Sequence, residues 1–133
     1  MSVKWTEDLS VGVDLIDDQH KMMFEKASEL FEAGKERRAQ EYIEPLIEFL
    51  DEYTKKHFAD EEAYMEKINY PEIDTQKRMH AHFINQLAKL KSDFKESGGN
   101  ILVVLNANKM ILNWLVEHIR HTDKKIGEYA KTL

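Results

Sequence analysis

Along most of this chain, apolar residues recur at steps of three and four, the period of a helix with one buried face. The steps predict four helices. The first runs from about Asp18 to Glu36, with His20, Met23, Phe24, Ala27, Leu30 and Phe31 on one face. Asp17 is placed as its N-cap, and Gly34 weakens its last turn. The second runs from about Gln40 to Met65 and presents Ile43, Leu46, Leu50, Tyr53, His57, Glu61 and Tyr64. Pro45 has no N–H to donate, so it must lie in or near the first turn. Asn69-Tyr70-Pro71 makes a corner. A third helix, from about Glu72 to Glu96, carries Ile73, Gln76, His80, Phe83, Leu87, Leu90 and Phe94 on an unbroken seam. Ser97-Gly98-Gly99-Asn100 is a breaker and a cap. The fourth runs from about Ile101 to Ala130, with Val104, Ile111, Leu115, His118, Ile119, Thr122 and Ile126 in its stripe. Residues 1–16 lack a helical period and read as an extended arm, with Trp5, Val11 and Val13 available to pack on the helices. Amphipathic helices joined by short turns favour an all-α, up-down-up-down four-helix bundle, one domain over residues 1–133.

Polar residues inside these apolar stripes are the informative exception. His20 shares the face of Met23, Phe24 and Ala27. His57 and Glu61 are four apart and project together. His80 sits between Ile73 and Phe83 on the third seam. On the fourth helix, Leu115 lies about 60° from His118 and Asp123 about 140°, so His118 and Asp123 flank the stripe. His82 is about 200° from His80, and His121 falls on the side away from Leu115; both read as surface residues.

Buried imidazoles and carboxylates are costly unless paired or metal-bound. One core histidine is more often simply hydrogen-bonded. Here each helix contributes a histidine and two carboxylates join them, which points to a metal site. Nitrogen and carboxylate donors without thiolate suit iron, manganese or zinc. The six groups exceed the needs of one tetrahedral zinc, and two carboxylates able to bridge suggest two metals. No histidine has Glu three residues before it; those positions hold Asp17, Thr54, Lys77, Met79, Leu115 and His118. The Glu-x-x-His pattern of carboxylate-rich di-iron bundles is therefore absent, as is His-Glu-x-x-His.

Composition narrows the chemistry further. With no cysteine, iron–sulfur clusters, thiolate zinc and thiol redox chemistry are excluded. The net charge of -6, with basic residues concentrated only at Lys35–Arg38, argues against nucleic acid. The longest apolar run, Ile101–Leu105, is too short to cross a bilayer, and Met1–Trp5 lacks the features of a secretory signal. The expectation is a soluble cytoplasmic protein.

At these residues the sequence resembles the hemerythrin family, in its free-standing bacterial form. The likeness runs from Trp5 and Val11-Gly12-Val13-Asp14 through Asp17-Asp18-Gln19-His20 and His57-Phe58-Ala59-Asp60-Glu61-Glu62. It continues through Tyr70-Pro71, His80 with Phe83, Trp114-Leu115, His118-Ile119 and Asp123. The resemblance implies two non-haem iron ions bridged by Glu61, Asp123 and an oxo or hydroxo group. It places His20 and His57 on the ion with an open position, and His80 and His118 on the other. Phe58, Trp114, Leu115 and Ile119 are expected to line a dry dioxygen pocket. Where the family has a histidine four residues before His80, this chain has Gln76. Its place on the seam points it at the site, where its amide oxygen either reaches iron or bonds a coordinated water; the near-ligand role is favoured.

The function implied is reversible dioxygen binding: an oxygen carrier, store or local supplier for oxygen transport, not an enzyme. Gln76 in place of an imidazole keeps a di-iron peroxidase or oxidase in view. An oxygen or iron sensor acting through a partner protein is the third reading. The lack of a second domain within these residues weighs against it.

Overall fold

The computed structural model describes residues 4–35, 39–98 and 100–133; within its helices the side chains of 30, 31, 33–35, 39–43, 46, 101, 103, 104 and 106–108 lie outside that description. The expectations for Leu30, Phe31, Gly34, Ile43, Leu46, Gly99 and Val104 therefore fall outside the described residues. After a 3-10 turn at Glu7–Leu9, the chain forms α1 (Asp14–Lys35), α2 (Ala39–Lys67), α3 (Ile73–Glu96) and α4 (Ile101–His118). A π-helical turn, Ile119–Asp123, then leads straight into α5 (Lys124–Ala130). α4, the π turn and α5 together occupy the span of the predicted fourth helix. Around the bundle, α1 packs on α2 and α4, and α3 packs on α2 and α4. This is the predicted all-α bundle. No described helix is long and apolar enough to cross a membrane.

Helix ends follow local chemistry. Asn69 adopts φ 55, the left-handed conformation that asparagine tolerates at a helix end. Tyr70 N–H then bonds back to Met65 C=O at 2.9 Å, closing α2. Asn100 caps α4 as expected, its Oδ1 accepting from Leu102 N–H at 2.9 Å. Pro45 sits farther inside α2 than predicted, in its second turn.

The start of α1 corrects the sequence reading. Asp17 is not its N-cap; the helix begins at Asp14, and Asp17 N–H already bonds Val13 C=O at 2.9 Å. The Asp17 carboxylate instead turns back to the arm. Its Oδ1 accepts from Val11 N–H at 2.8 Å and its Oδ2 from Ser10 Oγ at 2.5 Å. Asp17 thus satisfies donors of the arm rather than of the helix.

The arm is packed, as its apolar residues suggested. Leu9 and Val11 are buried in the main core with Ile16, Met23, Phe24, Leu50, Phe83, Leu87 and Ile111, and Trp5 and Val13 pack against it. A second, smaller cluster of Met65, Tyr70 and Ile126 holds the end of the bundle where α2 turns into α3. Gly127 on α5 lets the arm approach: a Cβ there would lie 1.6 Å from Val11 C=O. Gly127→Ala should therefore displace the arm. Overpacking of this kind costs about 1–3 kcal/mol, so the thermal midpoint should fall and proteolysis near Val11 should accelerate. An unchanged midpoint and cleavage pattern would show that the arm does not depend on this contact.

Candidate metal centre

His20 from α1, His57 and Glu61 from α2, Gln76 and His80 from α3, His118 ending α4 and Asp123 ending the π turn are all buried, none more than 6% exposed. Two pairs meet through ordinary helical spacing. His57 and Glu61, like Gln76 and His80, lie four residues apart on one face. His118 and Asp123 meet through the π turn. In an unbroken α-helix they would diverge by about 140°. Here Lys124 N–H bonds Ile119 C=O, five residues back, and the wider turn swings Asp123 toward His118. His118 Nε2 and Asp123 Oδ1 finish 3.0 Å apart. On a uniform helix the two flank the apolar stripe; the π turn brings them together.

Both carboxylates reach two ways. Glu61 Oε1 is 3.0 Å from His80 Nε2, while its Oε2 is 3.2 Å from His57 Nε2 and 3.8 Å from His20 Nε2. Asp123 sets Oδ2 3.2 Å from His20 Nε2 and Oδ1 beside His118. Potential ligand atoms form two groups, His20-His57-Glu61-Asp123 and Glu61-His80-His118-Asp123, each with its atoms within 4.8 Å of one another. Glu61 and Asp123 belong to both.

The residues fit metal ions. Both Glu61 oxygens, Asp123 Oδ2, His80 Nε2 and His118 Nε2 are buried without a hydrogen-bond partner. His80 Nε2 and Glu61 Oε1 are close enough to bond but lack the angles for it. Their lone pairs converge on shared space rather than on each other. Buried carboxylates left so are costly, and cations at the points of convergence remove the cost. Imidazole and carboxylate donors suit iron, manganese or zinc.

Opposite charges balance one another across the cluster. Burial pushes the His20 imidazole down, but Asp123 and Glu61 outweigh it and hold its pKa above the usual range. His80 is raised likewise, with Glu61 and Glu62 overcoming burial. Burial and Asp123 push Glu61 up, yet His57 and His80 hold it low. Asp123 is depressed further, burial being outweighed by His118 and His20.

An outer layer orients the rings. His57 Nδ1 lies 2.7 Å from Gln19 Oε1, and Gln19 Nε2 donates to Asp60 Oδ2 at 2.8 Å. His80 Nδ1 lies 2.9 Å from Glu62 Oε2. Such contacts fix which nitrogen faces the metal. Sequence reading assigned no role to Gln19, Asp60 or Glu62. The available signal was their place beside His20 and Glu61, since a ring held with Nε2 inward can use a polar partner at Nδ1, as His57 and His80 do here. Phe58 stacks flat on His80 at 3.8 Å between centroids and Trp114 on His118 at 4.2 Å. Phe58 also tilts toward His57 at 5.5 Å. Leu115 and Ile119 are buried in the adjoining core. His82 and His121 are exposed, beside Gln86 and Glu117 respectively, as their helical phase predicted.

Fold and site together define a cation-binding four-helix bundle. The chain belongs to the hemerythrin family: residues 11–130 match the hemerythrin HHE cation binding domain. It is 35% identical over 127 residues to a bacteriohemerythrin of Stenotrophomonas maltophilia, covering 96% of this chain and 80% of that one. A Pseudomonas aeruginosa bacteriohemerythrin is 36% identical over 121 residues, covering 90% and 75%. A myohemerythrin of Theromyzon tessulatum is 30% identical over 122 residues, covering 92% and 88%.

These shifts predict a pH signature. His20 and His80 are raised, so in metal-free protein their contribution to stability is complete below the unfolded value of about 6.5. It is lost as pH rises through their folded values. Chelator-treated protein should melt lower at about pH 8.5 than at about pH 6. Metal loading replaces the protons with fixed charge and should flatten that dependence. Equal slopes for both forms would contradict the assignment of His20 and His80 to the cation sites.

Proposed function

We propose that this chain binds dioxygen reversibly at a pair of non-haem iron ions, one in each ligand group, with Glu61 and Asp123 shared between them. The observation that carries this reading is the shared membership of the two carboxylates in both groups. His20 and His57 complete one ion's set, and His80 and His118 the other's. The iron pair supplies reversible dioxygen binding; hemerythrins are oxygen carriers rather than enzymes.

The protein's own contribution is positional and protective. Gln19 and Glu62 hold the His57 and His80 rings in place. Glu61 and Asp123 face imidazoles that favour their ionised forms, the forms able to hold a cation. Phe58, Leu115 and Ile119 are at most 2% exposed and keep bulk water from the centre. With Trp114 they form the apolar wall of the dioxygen pocket. A dry, proton-poor setting favours release of the ligand unchanged.

A di-iron oxidase or peroxidase is the second reading. Gln76 favours it, because the Glu61-His80-His118-Asp123 group has one fewer imidazole than the family pattern. No protein partner is assigned, and nucleic acid does not suit the acidic chain.

Anaerobic loading with ferrous iron should give two irons per chain. Admitting and removing dioxygen should then switch the optical spectrum through repeated cycles without net consumption. One iron per chain would overturn the two-ion reading. Steady dioxygen consumption with a reductant would favour the enzyme.

A further inference from the structure

Gln76 occupies the edge of the second ligand group, and its amide is oriented. Its side chain is 1% exposed, one turn before His80 on α3. Gln76 Nε2 donates to Asp123 Oδ1 at 3.1 Å. Turning the amide over would set its oxygen against a carboxylate oxygen, two acceptors in repulsion. The nitrogen therefore keeps the Asp123 side. That leaves Gln76 Oε1 buried without a partner. Asp123 Oδ1 is the same atom that lies 3.0 Å from His118 Nε2. The amide nitrogen thus lies against the carboxylate oxygen nearest His118, and the unpartnered oxygen is on the same buried amide.

The two ligand groups are otherwise matched, with two imidazoles each and the carboxylates in common. An octahedral ion in either is short of protein donors. On the His20–His57 side a vacant position serves the proposed dioxygen binding. On the His80–His118 side an oxygen donor stands beside the ligand group.

We propose that Gln76 Oε1 is a weak, displaceable ligand to the ion held by His80 and His118, so that this ion has an exchangeable position for a small anion. The inference rests on the two-iron reading above. An amide oxygen is neutral and a poorer donor than imidazole or carboxylate, so an anionic competitor can replace it. For the anion to bind, the amide oxygen must swing away from the ion, since two acceptors side by side would repel. The centre therefore accepts small linear or monatomic anions at two positions rather than one, and the second is governed by Gln76.

The test uses the whole chain, loaded with iron, oxidised and titrated with azide by optical spectroscopy and calorimetry. Iron content is measured on the same samples. The wild-type chain should carry two irons and bind two azides. Gln76→His should keep two irons and bind one azide, because an imidazole is not displaced. Gln76→Glu keeps an oxygen donor of the same reach but adds charge, and should weaken the second azide at least tenfold. Two irons with a single azide in the wild-type chain would overturn this inference alone. So would a second azide whose affinity is unchanged in both variants. Fewer than two irons in the wild-type chain would overturn the two-iron reading itself. Should either variant fail to fold, the azide count of the wild-type chain still decides.

Discussion

Two carboxylates, Glu61 and Asp123, face one another in the middle of this bundle with no measurable exposure. Like charges so placed are untenable without positive charge between and around them. The histidines around them answer that constraint. Four imidazoles surround the pair, and two of them are held above their usual pKa when no metal is present. Metal ions meet the same demand with fixed charge. The apolar residues around the centre exclude water and so sharpen the demand.

The bundle is the device that assembles this cluster. Antiparallel helices bring residues remote in sequence to one level, and spacings of four supply two donors from one face of α2 and of α3. The last donor pair needs something else. His118 and Asp123 are five apart, a spacing that an α-helix does not bring together and a π turn does. A π turn costs helix regularity, which explains its rarity and its association with functional sites. The arm adds a further constraint. Asp17 accepts from the Val11 N–H and Gly127 leaves room for the Val11 carbonyl, so the arm lies against α1 and α5. α5 follows directly on the π turn that ends at Asp123.

Much of this was legible from periodicity. The helices, the Asn100 cap and the inward phase of His20, His57, Glu61, Gln76 and His80 follow from steps of three and four. So does the outward phase of His82 and His121. What escaped the sequence depends on departures from regular geometry or on tertiary partners. Asp17 looked like an N-cap because it precedes a helical period, but its carboxylate serves Ser10 and Val11 behind it. The 140° between His118 and Asp123 assumed a uniform helix, and the π turn removed the assumption. Gln19 and Glu62 carry no period of their own; only the ring they touch gives them meaning. The orientation of the Gln76 amide likewise follows from Asp123, forty-seven residues away along the chain.

The central claim is that Glu61 and Asp123 each serve two ions at once. Diffraction at the iron absorption edge, from crystals of the iron-loaded chain, tests it most directly. Two anomalous peaks, each within bonding distance of both carboxylates, are the predicted result. A single peak, or two peaks of which either is served by only one of the two carboxylates, would contradict the account.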